Sequence, residues 1–117
     1  MGADTFITLM VGKYANAKEA FYKAGAEAAW MHGHSGYTGT IAEKNDFIMI
    51  KCPEKTRVTK LISDLIENDD KRIEDKWGPA GCVEVTSPSK MKELREQRGL
   101  KGKKGIKAFY FFGWASC

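Results

Sequence analysis

The sequence predicts an α+β fold with a ferredoxin-like β-α-β-β-α-β core, and three observations carry that expectation. Alternating β-rich runs occur near the start, in the middle and after residue 80; two segments with helical spacing separate them; and their order is that of the split β-α-β pattern. An aromatic strand near the C-terminus is expected to add at a sheet edge, and residues 87–105 are expected to form an appended basic arm. With 117 residues and no linker or repeat, the chain reads as a single domain over 1–117.

Thr5 to Val11 alternates Ile7, Leu9 and Val11 with Phe6, Thr8 and Met10, which suits a first strand. Asn16 and Glu19 have the spacing of a helix-capping pair, and Ala17, Ala20, Phe21, Ala24, Ala28 and Met31 then recur on one face up to a terminator at Gly33. Tyr37 to Ala42 and Phe47 to Lys51 read as the strands of a hairpin turning through Glu43, Lys44, Asn45 and Asp46. Thr56 is the expected cap of a second helix with the stripe Val58, Leu61, Ile62, Leu65 and Ile66, ending at Asn68, Asp69 and Asp70. Val83 and Val85 mark a third strand, and Ala108 to Trp114 the aromatic one. Between these two, Ser87 and Pro88 open a short helix with a thin stripe, Met91 and Leu94, and Gly99, Gly102 and Gly105 loosen the stretch beyond it.

Hydrophobic residues make up 43% and charged residues 29%, a globular composition. The apolar runs are short, as at Phe47 to Ile50, so no membrane span is expected. Met1 to Thr5 lacks the features of a signal peptide, which points to the cytoplasm. Cys52, Cys82 and Cys117 are odd in number and widely spaced, so they read as reduced thiols and not as a disulfide frame or zinc site. The net charge of +4 is unevenly spread. Ser87 to Gly105 holds Lys90, Lys92, Arg95, Arg98, Lys101, Lys103 and Lys104 against Glu93 and Glu96, while the remaining 98 residues carry a net −1. A nucleic-acid argument therefore applies to this segment and not to the whole chain.

Chemistry concentrates in His32 to Lys44, H-G-H-S-G-Y-T-G-T-I-A-E-K. Glycines at 33, 36 and 39 permit close approach of a ligand to the backbone, and the imidazoles, hydroxyls, Glu and Lys supply donors, acceptors and titratable groups. His32, His34 and Glu43 are the candidate proton-handling, catalytic residues; Tyr37, Thr38, Thr40 and Lys44 are candidates for holding a phosphoryl or carbonyl group. The competing reading is that the histidines only finish the first helix, where imidazolium meets free carbonyls. H-x-H lacks a third protein ligand unless Glu43 completes it, so no metal is assigned, and no cofactor either. The glycines follow a helix and enter a strand, the reverse of the phosphate-binding and dinucleotide-binding loops.

Lys76-Trp77-Gly78-Pro79-Ala80-Gly81 is a second cluster, in which Trp77 stacks a ring while Lys76 meets an anion, or in which Trp77 merely caps the core. With the terminal F-F-G-W-A-S, the two motifs H-G-H-x-G-Y-T-G-T-I-A-E-K and D-K-W-G-P-A-G-C resemble those of a family of small uncharacterised proteins encoded by bacteriophages. The resemblance spans about His32 to Ser116 apart from Pro88 to Lys104, and it implies expression in an infected bacterial cytoplasm without assigning an activity. Two functions are expected on these grounds. One is a polar site for a phosphate- or nucleotide-like ligand on the loop at 32–44. The other is binding of a host protein or nucleic acid, as an inhibitor or in counter-defence, through the basic segment, which otherwise is only a solvated surface. No nucleophile, base and orienting group share a recognisable spacing, so the sequence leaves open whether the protein is an enzyme.

Overall fold

The computed structural model describes residues 2–32, 39–53 and 55–116, apart from the side chain of His32. The chain forms β1 (Ala3–Gly12), α1 (Ala17–His32), a 3-10 turn (Ile41–Glu43), β2 (Phe47–Met49), α2 (Val58–Glu67), β3 (Ala80–Glu84), α3 (Pro88–Gln97) and β4 (Lys107–Ser116). The strands make one mixed sheet in the order β1-β4-β3-β2. β4 runs antiparallel to both its neighbours, and β2 runs parallel to β3.

The fold is α+β, but the strand order differs from a ferredoxin-like sheet, and the aromatic strand is central instead of lying at an edge. The reason lies in its side chains. Phe109, Phe111 and Ala115 of β4 pack on one face with Phe6, Met10, Cys82 and the α1 residues Ala20, Phe21 and Ala24. Ala108, Tyr110 and Phe112 pack on the other with Val83, Val85, the α2 residue Ile62 and the α3 residues Met91 and Leu94. A strand apolar on both faces is stable only where both are covered, which is the middle of a sheet. One helix therefore covers one face, and two cover the other.

The local signals that place α1 act as expected. The Glu19 N–H donates to Asn16 Oδ1 at 3.0 Å, and Ala20 and Ala24 are buried, so the helix sits close enough for Phe21 to meet Phe47 and Phe111 with ring centroids 5.1 and 5.5 Å away. Met31 departs from the expected stripe: it is 71% exposed. α2 buries Ile62 with its other stripe residues half-covered, but its cap position is Arg57 and not Thr56.

Two further expectations are corrected. The hairpin over 37–51 does not form in its described part, where Ile41–Glu43 is a 3-10 turn and β2 pairs with β3 instead. Thr40 Oγ1 accepts from the Ala42 N–H at 3.2 Å, a local bond that competes with strand pairing, and Ile41 is buried beside α1. The segment 87–105 is also not an appended arm. Ser87 caps α3, Met91 and Leu94 are buried, and the helix closes in a Schellman turn, with Leu100 N–H bonded to the Arg95 carbonyl at 2.8 Å and Gly99 at φ +69°.

Candidate functional site

Strand directions decide where chemistry collects. β1, β2 and β3 all run the same way, so α1, α2 and α3 all begin at one end of the sheet, where β4 also starts. Helix N-termini present free N–H groups and the positive end of the helix dipole. The connections at this end, 13–16, 50–57, 85–87 and 98–106, carry Lys13, Lys51, Lys55, Arg57, Arg98, Lys101, Lys103 and Lys104, with Glu54 the one acid among them by sequence. The connections at the opposite end, 33–46 and 68–79, carry six acidic and four basic residues. The molecule thus has a basic end, which bears the helix starts, and a mildly acidic one.

A cleft of about 790 Å³ opens at the basic end, where the parallel strands β2 and β3 finish. It is lined by Cys52, Lys55, Thr56 and Arg57 ahead of α2 and Thr59 in its first turn, by Glu84 at the end of β3 with Val85 and Thr86 beyond it, and by the cap residue Ser87 with Lys90 and Glu93 of α3. A crevice at the carboxyl ends of parallel strands is where open sheets with helices on both faces bind ligands. Arg57, at the cap position of α2, makes no side-chain capping bond. At α3, Ser87 Oγ accepts weakly from the Lys90 N–H at 3.5 Å and lies 3.1 Å from Ser89 Oγ. Lys90 is drawn to Glu93, Nζ to carboxylate 3.7 Å. The Cys52 thiol donates to the Thr56 carbonyl at 3.3 Å, which ties it to the turn that precedes α2. Cations, hydroxyls and helix starts suit the cleft to an anion, whereas Glu84 and Glu93 restrict where that anion sits.

The residues expected from the sequence lie mostly elsewhere. His34, Tyr37 and Thr38, and the side chain of His32, fall outside the described residues. The rest of that loop sits at the acidic end. Thr40 caps the 3-10 turn, and Lys44 is buried, with its ammonium donating to the carbonyls of Gly78 (2.9 Å), Asp75 (3.2 Å) and Lys76 (3.3 Å). Burial holds its pKa below the ordinary lysine value, partly opposed by the Asp75 carboxylate. Lys44 therefore fastens the segment after the His/Gly-rich loop to the turn that carries Trp77, so two clusters far apart in sequence meet. Trp77 does not cap the core: it is 60% exposed, with Lys76 Nζ 5.4 Å from its ring centroid and 3.4 Å from the Gly2 carbonyl.

Of the basic segment, Lys90 lines the cleft and Lys92, Arg98, Lys101, Lys103 and Lys104 are exposed. Arg95 is half-buried, with its Nε shielded and unpartnered. Cys82 is buried, which pushes its thiol pKa up to about 12 and makes it a poor nucleophile. Among the described residues no group of three His, Cys, Asp or Glu side chains is placed to hold a metal ion, and no helix is long and apolar enough to cross a membrane.

Sequence reasoning missed Lys55, Arg57, Thr56 and Ser87 as site residues. The available signal was the strand-helix-strand order over 47–84, which, read as a parallel unit, places 50–57 and 85–88 side by side. Comparison of the chain with protein-family models, curated proteins and solved structures finds no match.

Proposed function

We propose that the protein binds a phosphate-bearing ligand in the cleft at its basic end. The observation that supports this reading is the convergence of two helix N-termini with Lys55, Arg57 and Lys90 around one cavity large enough for a nucleotide-sized molecule. The ligand class is the one expected from the sequence, moved from the loop at 32–44 to the opposite end of the sheet. Pyrophosphate is the probe that tests it. Arg57→Ala or Lys90→Ala is expected to weaken pyrophosphate binding about tenfold, the loss of one charge-assisted hydrogen bond. Absence of any thermal shift of the wild type with pyrophosphate at about 5 mM overturns the reading.

The exposed cations beyond the cleft, Arg98, Lys101, Lys103 and Lys104, favour a second reading, in which the basic end docks on a polyanion such as nucleic acid. Binding to duplex DNA that falls steeply with salt supports it, and a flat salt response excludes it. The resemblance to bacteriophage proteins supports an infected bacterial cytoplasm as the setting and a host molecule as the source of either ligand.

A further inference from the structure

One residue of the cleft stands in a backbone conformation that its side chain does not favour. Residues 53–56 close a four-residue turn, with the Thr56 N–H bonded to the Pro53 carbonyl at 3.2 Å, and Lys55, at the third position of that turn, has φ +66°. There Cβ crowds the following carbonyl oxygen, a penalty that glycine escapes and that asparagine or aspartate offsets with a short, locally bonded side chain; lysine does neither. The rest of the chain keeps to that rule. Among the described residues, every other positive φ belongs to a glycine, Gly39, Gly99, Gly102, Gly105 or Gly113, or to Asp69. Bonding within the fold does not account for the exception. Lys55 is exposed, and its ammonium makes no hydrogen bond or ion pair with a described residue. The turn does not depend on it either, because the closing bond joins main-chain groups and the Cys52 thiol holds the Thr56 carbonyl at 3.3 Å. What remains is the cleft, which Lys55 lines.

We propose, on the phosphate reading of the cleft, that Lys55 is a phosphate-binding residue kept where folding alone would favour glycine. Residues in sparsely populated backbone regions persist where the surrounding structure over-determines them, and they collect at ligand clamps. The main-chain bond and the Cys52 contact supply that constraint, so the ammonium is presented to the cleft from a fixed point on the backbone. Stability and binding therefore oppose each other at this residue, a pairing that a lysine serving only as solvated surface does not produce.

Calorimetric unfolding and pyrophosphate titration of three variants test this. Lys55→Gly is expected to raise the Tm of the unliganded protein by about 2–5 °C, the strain relieved less the extra backbone freedom of an unfolded glycine. The same change weakens pyrophosphate binding about tenfold. Lys55→Asn, which tolerates the conformation without the charge, moves both quantities in the same directions. Lys55→Arg keeps both the charge and the strain, so its Tm stays within about 1 °C of wild type and its affinity within about threefold. A Lys55→Gly protein that is no more stable than wild type, or that binds pyrophosphate within about twofold of it, overturns the proposal and leaves the cleft reading in place. A wild type that binds no pyrophosphate at about 5 mM overturns both.

Discussion

Replacing Lys44 with methionine removes the ammonium and keeps most of the side-chain volume, so the change isolates the polar contacts. Three carbonyls of the 75–78 turn lose their shared donor, and Lys44 is only 6% exposed. Hydrogen bonds to a charged donor contribute about 1.5–3 kcal/mol each, but burying the ammonium opposes them, as the direction of its pKa shift indicates. The turn itself is partly exposed, so water recovers some of the lost bonding. The net cost is expected to be about 1–3 kcal/mol, a fall in Tm of about 3–10 °C for a chain of this length. Calorimetric unfolding of the two proteins at neutral pH measures it, and a difference below about 0.5 kcal/mol refutes the fastening role of Lys44. pH gives an independent check. Because the folded pKa lies below the usual 10.5, the folded protein releases this proton before the unfolded chain does. Between those two values the unfolded state binds more protons, so stability attributable to Lys44 rises with pH. The advantage of wild type over Lys44→Met should therefore widen as pH climbs toward 10.5; a gap that narrows contradicts burial as the dominant influence.

Three other outcomes rest on single contacts or single surfaces. Gly81→Ala should cost about 1–3 kcal/mol in urea unfolding, because a Cβ at residue 81 falls 2.6 and 2.7 Å from the fully buried Phe112 ring, which has nowhere to move. Cys82 should resist alkylation at pH 8 in the native protein and react once urea unfolds it; rapid native labelling contradicts its burial and raised pKa. Replacing Lys101, Lys103 and Lys104 together with glutamine should reduce the salt dependence of DNA binding by up to about three ion equivalents while leaving pyrophosphate affinity within about twofold, since none of the three lines the cleft.

The elements that can be read from the sequence are those whose signal is local. β1 follows from its period-two alternation, the start of α1 from Asn16 and Glu19, and α2 from a stripe that recurs every three or four residues. Strand neighbours are non-local, and local signals do not determine them. Phe109 to Phe112 read as a strand, yet four large apolar side chains in succession also imply cover on both faces, which places β4 in the centre. Tyr37 to Ala42 has the composition of a strand, but the Thr40 hydroxyl offers the Ala42 N–H a local partner that competes with strand pairing. The thin stripe of α3 understates its role, because Met91 and Leu94 share the burial with Leu100 and Ile106 from the returning chain.

The site is harder to see for a related reason. Only one part of the basic end, Arg98 to Lys104, is a charge run in sequence; Lys13, Lys51, Lys55 and Arg57 are scattered through two other connections, each interpretable as ordinary surface. They join because three strands share a direction and each is followed by a helix, so topology and not composition concentrates the charge. The same topology sends Lys44 and Trp77 to the other end, where the lysine is consumed in holding a turn. A functional-group count along the chain favours the His/Gly-rich loop, whereas a count by sheet end favours the cleft. For α3 this distinction has a practical consequence: its Lys90 faces the cleft while Met91, the next residue, is in the core. The proposed binding at this end is therefore separable from folding by point changes in charge, and not by removal of the segment.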